Sequence, residues 1–209
     1  TKTSAAPNMA SAAAEAAEEP YHERQWLLQC ASHALNNLLG RQAFTPAQLD
    51  SIAIDLGGSM TLAHRWPMLG NHDVNVVMLA LQGEGLETEW WDARQSDDEL
   101  STLVRDKQLL GVLVNVRAAG FLGRLFKGRH WLALRRLSAS PAEWLESDSK
   151  LPEPLLHMAN GIADSRLPAE ASVAARLERA LREQDGHLIV VRCARDGAAG
   201  EASAAVGAS

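Results

Sequence analysis

Cys30 follows Gln25 by five positions in the run His22-Glu23-Arg24-Gln25-Trp26-Leu27-Leu28-Gln29-Cys30. The residues after it, Ala31, Ala34, Leu35 and Leu38, recur at helical spacing, so the thiol stands where a helix begins. A thiol in that position meets unpaired backbone N–H groups and the positive end of the macrodipole, and both favour the thiolate. A side-chain amide just upstream could donate a hydrogen bond to an oxyanion formed at that sulfur. Further along, His130-Trp131 opens an alternating segment, and Asp148 follows it. A thiol, an imidazole and a carboxylate in that order suggest a cysteine hydrolase, with the imidazole moving protons and the carboxylate holding its tautomer.

Each of these residues also has a plainer reading. Cys30 could be a small buried hydrophobe, Gln25 a surface amide and Asp148 a turn aspartate. Seven histidines compete as the base: His22, His33, His64, His72, His130, His157 and His187. His33 lies three residues after Cys30 but points along the helix flank, which suits local packing or hydrogen bonding. His130 is preferred because a strand end holds a side chain rigidly at an edge. Glu146 rivals Asp148, since period-two alternation puts both on one strand face and spacing does not separate them. The second cysteine, Cys193, alternates with Ile189 and Val191 on a strand face and reads as structural.

Helices and strands must bring these groups together. Cys30–Leu39 reads as a helix stopped by Gly40. Thr45, Pro46 and Gln48 signal the start of a second, with Leu49, Ile52, Ala53 and Leu56 on its apolar face. A loop over 57–72 leads to a third helix capped by Asp73 and running through Gln82. Leu86–Trp91 reads as a strand, and Ser96 with Glu99 forms a capping box opening a helix to about Asp106. Gly111–Val116, His130–Leu137, 143–147 and Leu188–Cys193 read as strands, and Ala169–Gln184 as a helix. Helices lead and strands follow, which is an α+β pattern. Residues 1–19 and 196–209 are small, polar and poor in aromatics and read as disordered tails, leaving a folded domain over 20–195.

The 209 residues carry a net charge of −6, 46% hydrophobic and 22% charged residues, as expected of a globular chain. The acidic balance argues against a nucleic-acid partner. Two distant cysteines make no disulfide framework and suit a reducing compartment, cytoplasmic and nuclear, with neither a secretion signal nor a transmembrane segment. No CxxC, HExxH or phosphate-loop spacing appears, so neither metal nor cofactor is expected. Residues 117–129 mix Phe121, Leu122, Leu125 and Phe126 with arginines and Lys127, a composition able to touch a membrane surface peripherally or to extend a hairpin.

Tyr21-His22-Glu23-Arg24-Gln25 followed by Cys30-Ala31, His33-Ala34-Leu35-Asn36-Asn37-Leu38-Leu39 resembles the opening of a Josephin domain. The likeness continues through Gly70-Asn71-His72-Asp73-Val74-Asn75-Val76, Trp90-Trp91-Asp92, His130-Trp131-Leu132-Ala133-Leu134-Arg135 and Asp148-Ser149-Lys150-Leu151, spanning roughly residues 21–193. It is with the small stand-alone Josephins, papain-like cysteine proteases that remove ubiquitin. The resemblance implies a papain-like α+β fold with helices packed on a mainly antiparallel sheet. It also implies Cys30 as nucleophile, His130 as general base, Asp148 as the residue orienting the imidazole and Gln25 as oxyanion donor. Ubiquitin and ubiquitinated proteins would be the partners, in a narrow cleft for which Trp26 and Trp131 are candidate walls. A ubiquitin-binding module with little catalysis, or a papain-like hydrolase of another acyl group, is the alternative. The sequence departs from the family pattern around Ser138–Ala142, at 144–147 and over 152–170.

Overall fold

The computed structural model describes residues 20–24, 29–57, 65–66, 71–72, 74–118, 129–137, 143–158 and 172–194. Gln25, Trp26, Asp73, both expected tails, most of the 57–72 loop and most of 117–129 lie outside the described residues, as do 138–142 and 159–171. In chain order the elements are α1 (Cys30–Leu39), α2 (Pro46–Gly57), β1 (Arg65–Trp66), β2 (Asn71–His72), α3 (Val74–Gly83), β3 (Leu86–Trp90) and α4 (Asp97–Leu103). They continue with β4 (Leu109–Arg117), β5 (Arg129–Arg136), β6 (Glu143–Ser147), β7 (Leu155–Met158), α5 (Val173–Glu183) and β8 (His187–Cys193). The strands β1 and β2 pair with each other, and the other six form one antiparallel sheet in the order β3-β8-β4-β5-β6-β7.

Helices cover both faces of that sheet, which explains why β4 and β8 are apolar at nearly every position. On one face Leu35, Leu38, Leu49, Val76 and Leu81 of α1–α3 bury Leu113, Trp131, Ala133, Ile189 and Val191. On the other, Leu100, Leu103, Leu177 and Ala180 of α4 and α5 bury Val112, Val114, Leu132, Leu134, Leu188 and Val190. Odd and even positions of one strand thus serve opposite cores, as the period of two requires. The result is an α+β architecture built around a mainly antiparallel sheet.

Local signals set the element ends. Gly40 stops α1 with φ of 69°, a left-handed conformation from which its N–H bonds back to Asn36. Thr45 and Gln48 cap α2 reciprocally, and Ser96 and Glu99 form a complete capping box on α4. Three expectations are corrected. Leu56 on α2 is exposed, because only Leu49 and Ala53 of its stripe are buried. The helix α4 ends at Leu103, where Asp106 turns the chain by accepting the Gln108 N–H. Cys193 is exposed at the last position of β8, past the reach of either core. Gly111 on β4 is tightly enclosed by β5 and α1: a Cβ there would lie 2.4 Å from the Leu134 carbonyl oxygen and 2.6 Å from a Leu38 methyl.

Candidate active site

Cys30 is the first residue of α1. The cap residue Gln29 gives the helix no side-chain hydrogen bond, and no acidic residue occupies the first turn. The positive end of the helix is therefore not neutralised by its own side chains, and the sulfur sits against it. Cys30 is only 5% exposed and packs with Ala31, Ala34 and Trp131 in the core under α1. That burial fixes its side chain while α1 lies on β5.

The thiol makes a hydrogen bond to the imidazole of His130, the second residue of β5. His130 Nε2 lies 2.7 Å from Asp148 Oδ1, so Nδ1 is the ring nitrogen left for the sulfur. Asp148 stands one residue beyond β6, where its Oδ1 also accepts the Lys150 N–H at 2.9 Å and its carbonyl accepts the Leu151 N–H. Asp148 thus closes a turn, and that turn aims its carboxylate at the His130 imidazole. Burial alone would lower the His130 pKa, but the bond to Asp148 and the neighbouring Cys30 sulfur raise it above its ordinary value. Burial opposes ionisation of Asp148 in turn, yet the His130 bond and the Lys150 N–H hold its carboxyl below the usual carboxylate range. Beside the pair opens a cavity of about 590 Å³ lined by His130, Asp148, Lys150, Arg117, Arg176 and Asp185, among others.

Glu146 goes elsewhere. It is buried on β6, receives Arg176 Nε at 2.9 Å and Nη2 at 2.8 Å, and lies 2.7 Å from His157 Nε2. Alternation failed to separate the two carboxylates because Asp148 is past the strand end, where the period of two no longer applies. His33 bonds Glu23 through Nδ1 at 2.8 Å, consistent with a local role. Trp131 is 3% exposed and belongs to the core, so it is not a cleft wall. Two groupings escaped the sequence reading: the buried Glu146–His157–Arg176 cluster, and the contacts tying Glu23 to α1. Neither has a short-range signature, since partners 10 to 30 positions apart form them. Among the described residues no group of three or more His, Cys, Asp or Glu side chains is arranged to hold a metal ion, and no helix is long and apolar enough to cross a membrane.

The Josephin family model matches residues 25–163. The chain is similar to Josephin-2 from Homo sapiens, 41% identical over 139 residues that cover 64% of this chain and 70% of that protein. Against Josephin-2 from Mus musculus it is 41% identical over 152 residues, covering 69% and 77%. A Josephin-like protein from Drosophila melanogaster is 43% identical over 141 residues, covering 64% of this chain and 61% of that protein. A helix-borne thiol joined to a strand-borne imidazole, and sequence likeness on this scale, lead to one assignment: the chain belongs to the Josephin family of ubiquitin-related cysteine hydrolases.

Proposed function

We propose that residues 20–195 form a catalytic domain that cleaves the bond after the C-terminal glycine of ubiquitin through an acyl-enzyme on Cys30. The observation that carries this reading is the continuous line of hydrogen bonds from Cys30 through His130 to Asp148. Sulfur attacks the glycine carbonyl carbon while His130 Nδ1 holds the thiol proton. The oxyanion is met by backbone N–H groups at the start of α1 and by the Gln25 amide. The imidazolium, kept charged by Asp148, then protonates the leaving nitrogen, which departs as an amine. Water attacks the thioester with His130 as base, releasing the ubiquitin carboxylate and restoring the thiol.

The test is incubation of the full chain with a panel of ubiquitin dimers beside Cys30→Ala. Turnover of at least one dimer, lost entirely in Cys30→Ala with ubiquitin binding retained, is the expected result. Turnover that survives Cys30→Ala overturns the mechanism. Binding without turnover in the unsubstituted chain would make it a ubiquitin-binding module, and turnover of small thioesters alone would make it a hydrolase of another acyl group.

A further inference from the structure

The segment just before Gln25 is clamped to the helix that carries Cys30. The Glu23 carboxylate accepts bonds from Asn36 Nδ2 at 3.1 Å to each oxygen and from the Tyr21 hydroxyl, and it lies 2.8 Å from His33 Nδ1. Its backbone is held as well, with its N–H donating to Asn37 Oδ1 at 2.6 Å and its carbonyl accepting Asn37 Nδ2 at 3.3 Å. Asn36 and Asn37 are 2% and 0% exposed. Two buried amides in the core under α1 are costly unless bonded, and here both spend bonds on one residue. Asn36 is itself fixed, since its Oδ1 accepts the Ala43 and Phe44 N–H groups and its Nδ2 also donates to the Phe44 carbonyl. On the other side His22 Nε2 lies 3.1 Å from the Leu151 carbonyl, in the turn that presents Asp148.

Glu23 is therefore pinned to α1 through both its side chain and its backbone, and in the sequence it stands two positions before Gln25 and seven before Cys30. We infer that Glu23 is a positioning residue for the reaction: through His33, Asn36 and Asn37 it sets where the Gln25 segment begins relative to the Cys30 sulfur. It touches neither substrate nor reacting atoms. The inference rests on the reading of Gln25 as an oxyanion donor and says what holds that donor in register. A displacement of about 1 Å at such a group can cost roughly 10²-fold in rate.

The test is a double-mutant cycle on the full chain, with ubiquitin bearing a fluorogenic C-terminal amide as substrate. Glu23→Ala is expected to lower kcat about 10- to 100-fold with KM within about twofold. In the Gln25→Ala background the same change should cost less than about twofold more, because the group it positions is already gone. Alkylation of Cys30 by iodoacetamide should proceed within about twofold of the unsubstituted rate, since the thiol–imidazole pair is untouched. Glu23→Gln, which keeps a carbonyl oxygen for Asn36, should lose only about 3- to 10-fold, again only when Gln25 is present, and it carries the cycle if Glu23→Ala does not fold. Losses that multiply in the double variant, a kcat within twofold of the parent, or alkylation falling in parallel with kcat each overturn the inference. If Gln25→Ala is impaired while Glu23→Ala is not, this inference alone fails. An unsubstituted chain without turnover removes the proposed function and this inference with it.

Discussion

Two histidine–carboxylate pairs are built on carboxylates two residues apart, and both have an Nε2-to-oxygen separation of 2.7 Å: His130 with Asp148, and His157 with Glu146. Only the first has a sulfur on the far side of its ring. His157 is completely buried, its Nδ1 bonds to nothing among the described residues, and its carboxylate is also held by Arg176. Asp148 is partly exposed and lines a cavity. Burial pushes the Glu146 carboxyl up, but His157 and Arg176 outweigh it and hold it below the usual range. A histidine–carboxylate pair is therefore not in itself a sign of catalysis. On the proposed function, the third partner and the way in decide whether such a pair moves protons or ties strands and helix together.

Substitutions that tell the pairs apart should differ most sharply at the histidines. His130→Ala is expected to lower kcat by about 10²–10⁴, with a smaller fall in the urea midpoint than His157→Ala gives. His157→Ala should instead destabilise the fold by about 3–5 kcal/mol, since it opens a buried ion cluster, while the folded fraction keeps its kcat. Equal kcat losses at both positions would erase the distinction.

The pairs should also separate in their pH dependence. Asp148→Asn removes the charge that raises the His130 pKa, so the alkaline limb of kcat/KM, where the imidazolium is lost, should move to lower pH. Glu146 and Asp148 have folded pKa values below their unfolded ones. Their stabilisation is present above pH 4 to 5 and is lost as pH falls through those depressed values. Glu146→Gln should flatten the acid arm of stability without moving the activity limb. Smaller effects belong to sites remote from both pairs. Gly111→Ala should cost about 1–3 kcal/mol through its clash with the Leu134 carbonyl. Ser96→Ala should cost about 1 kcal/mol through the lost cap, with kcat unchanged, both read by thermal unfolding and turnover assays.

What was legible in the sequence follows the range of the forces involved. The helix beginning at Cys30 and ending at Gly40, and the Ser96–Glu99 box, are local events, and the residues that make them are neighbours in the chain. The strand that presents His130 was readable from its alternation. The edge strand β7 was not, because Pro152 and Pro154 precede it and its four residues show no clear period of two. With β7 missed, His157 had no place, and the role of Glu146 was hidden. Cys193 showed the opposite failure: its alternation with Ile189 and Val191 is real, but the core ends before the strand does. The clamp on Glu23 lay in plain view as His33, Asn36 and Asn37, yet nothing in helical spacing says what buried amides will bind.

The contrast between the two cysteines offers the most direct test of the central claim. Ubiquitin carrying an electrophilic C-terminus is mixed with the full chain, and the site of attachment is mapped by peptide mass spectrometry. Accessibility alone would favour the exposed Cys193 over the buried Cys30. The account predicts a single adduct at Cys30, none at Cys193, and a strongly slowed reaction in His130→Ala. An adduct at Cys193, or none at all from a folded chain, would contradict it.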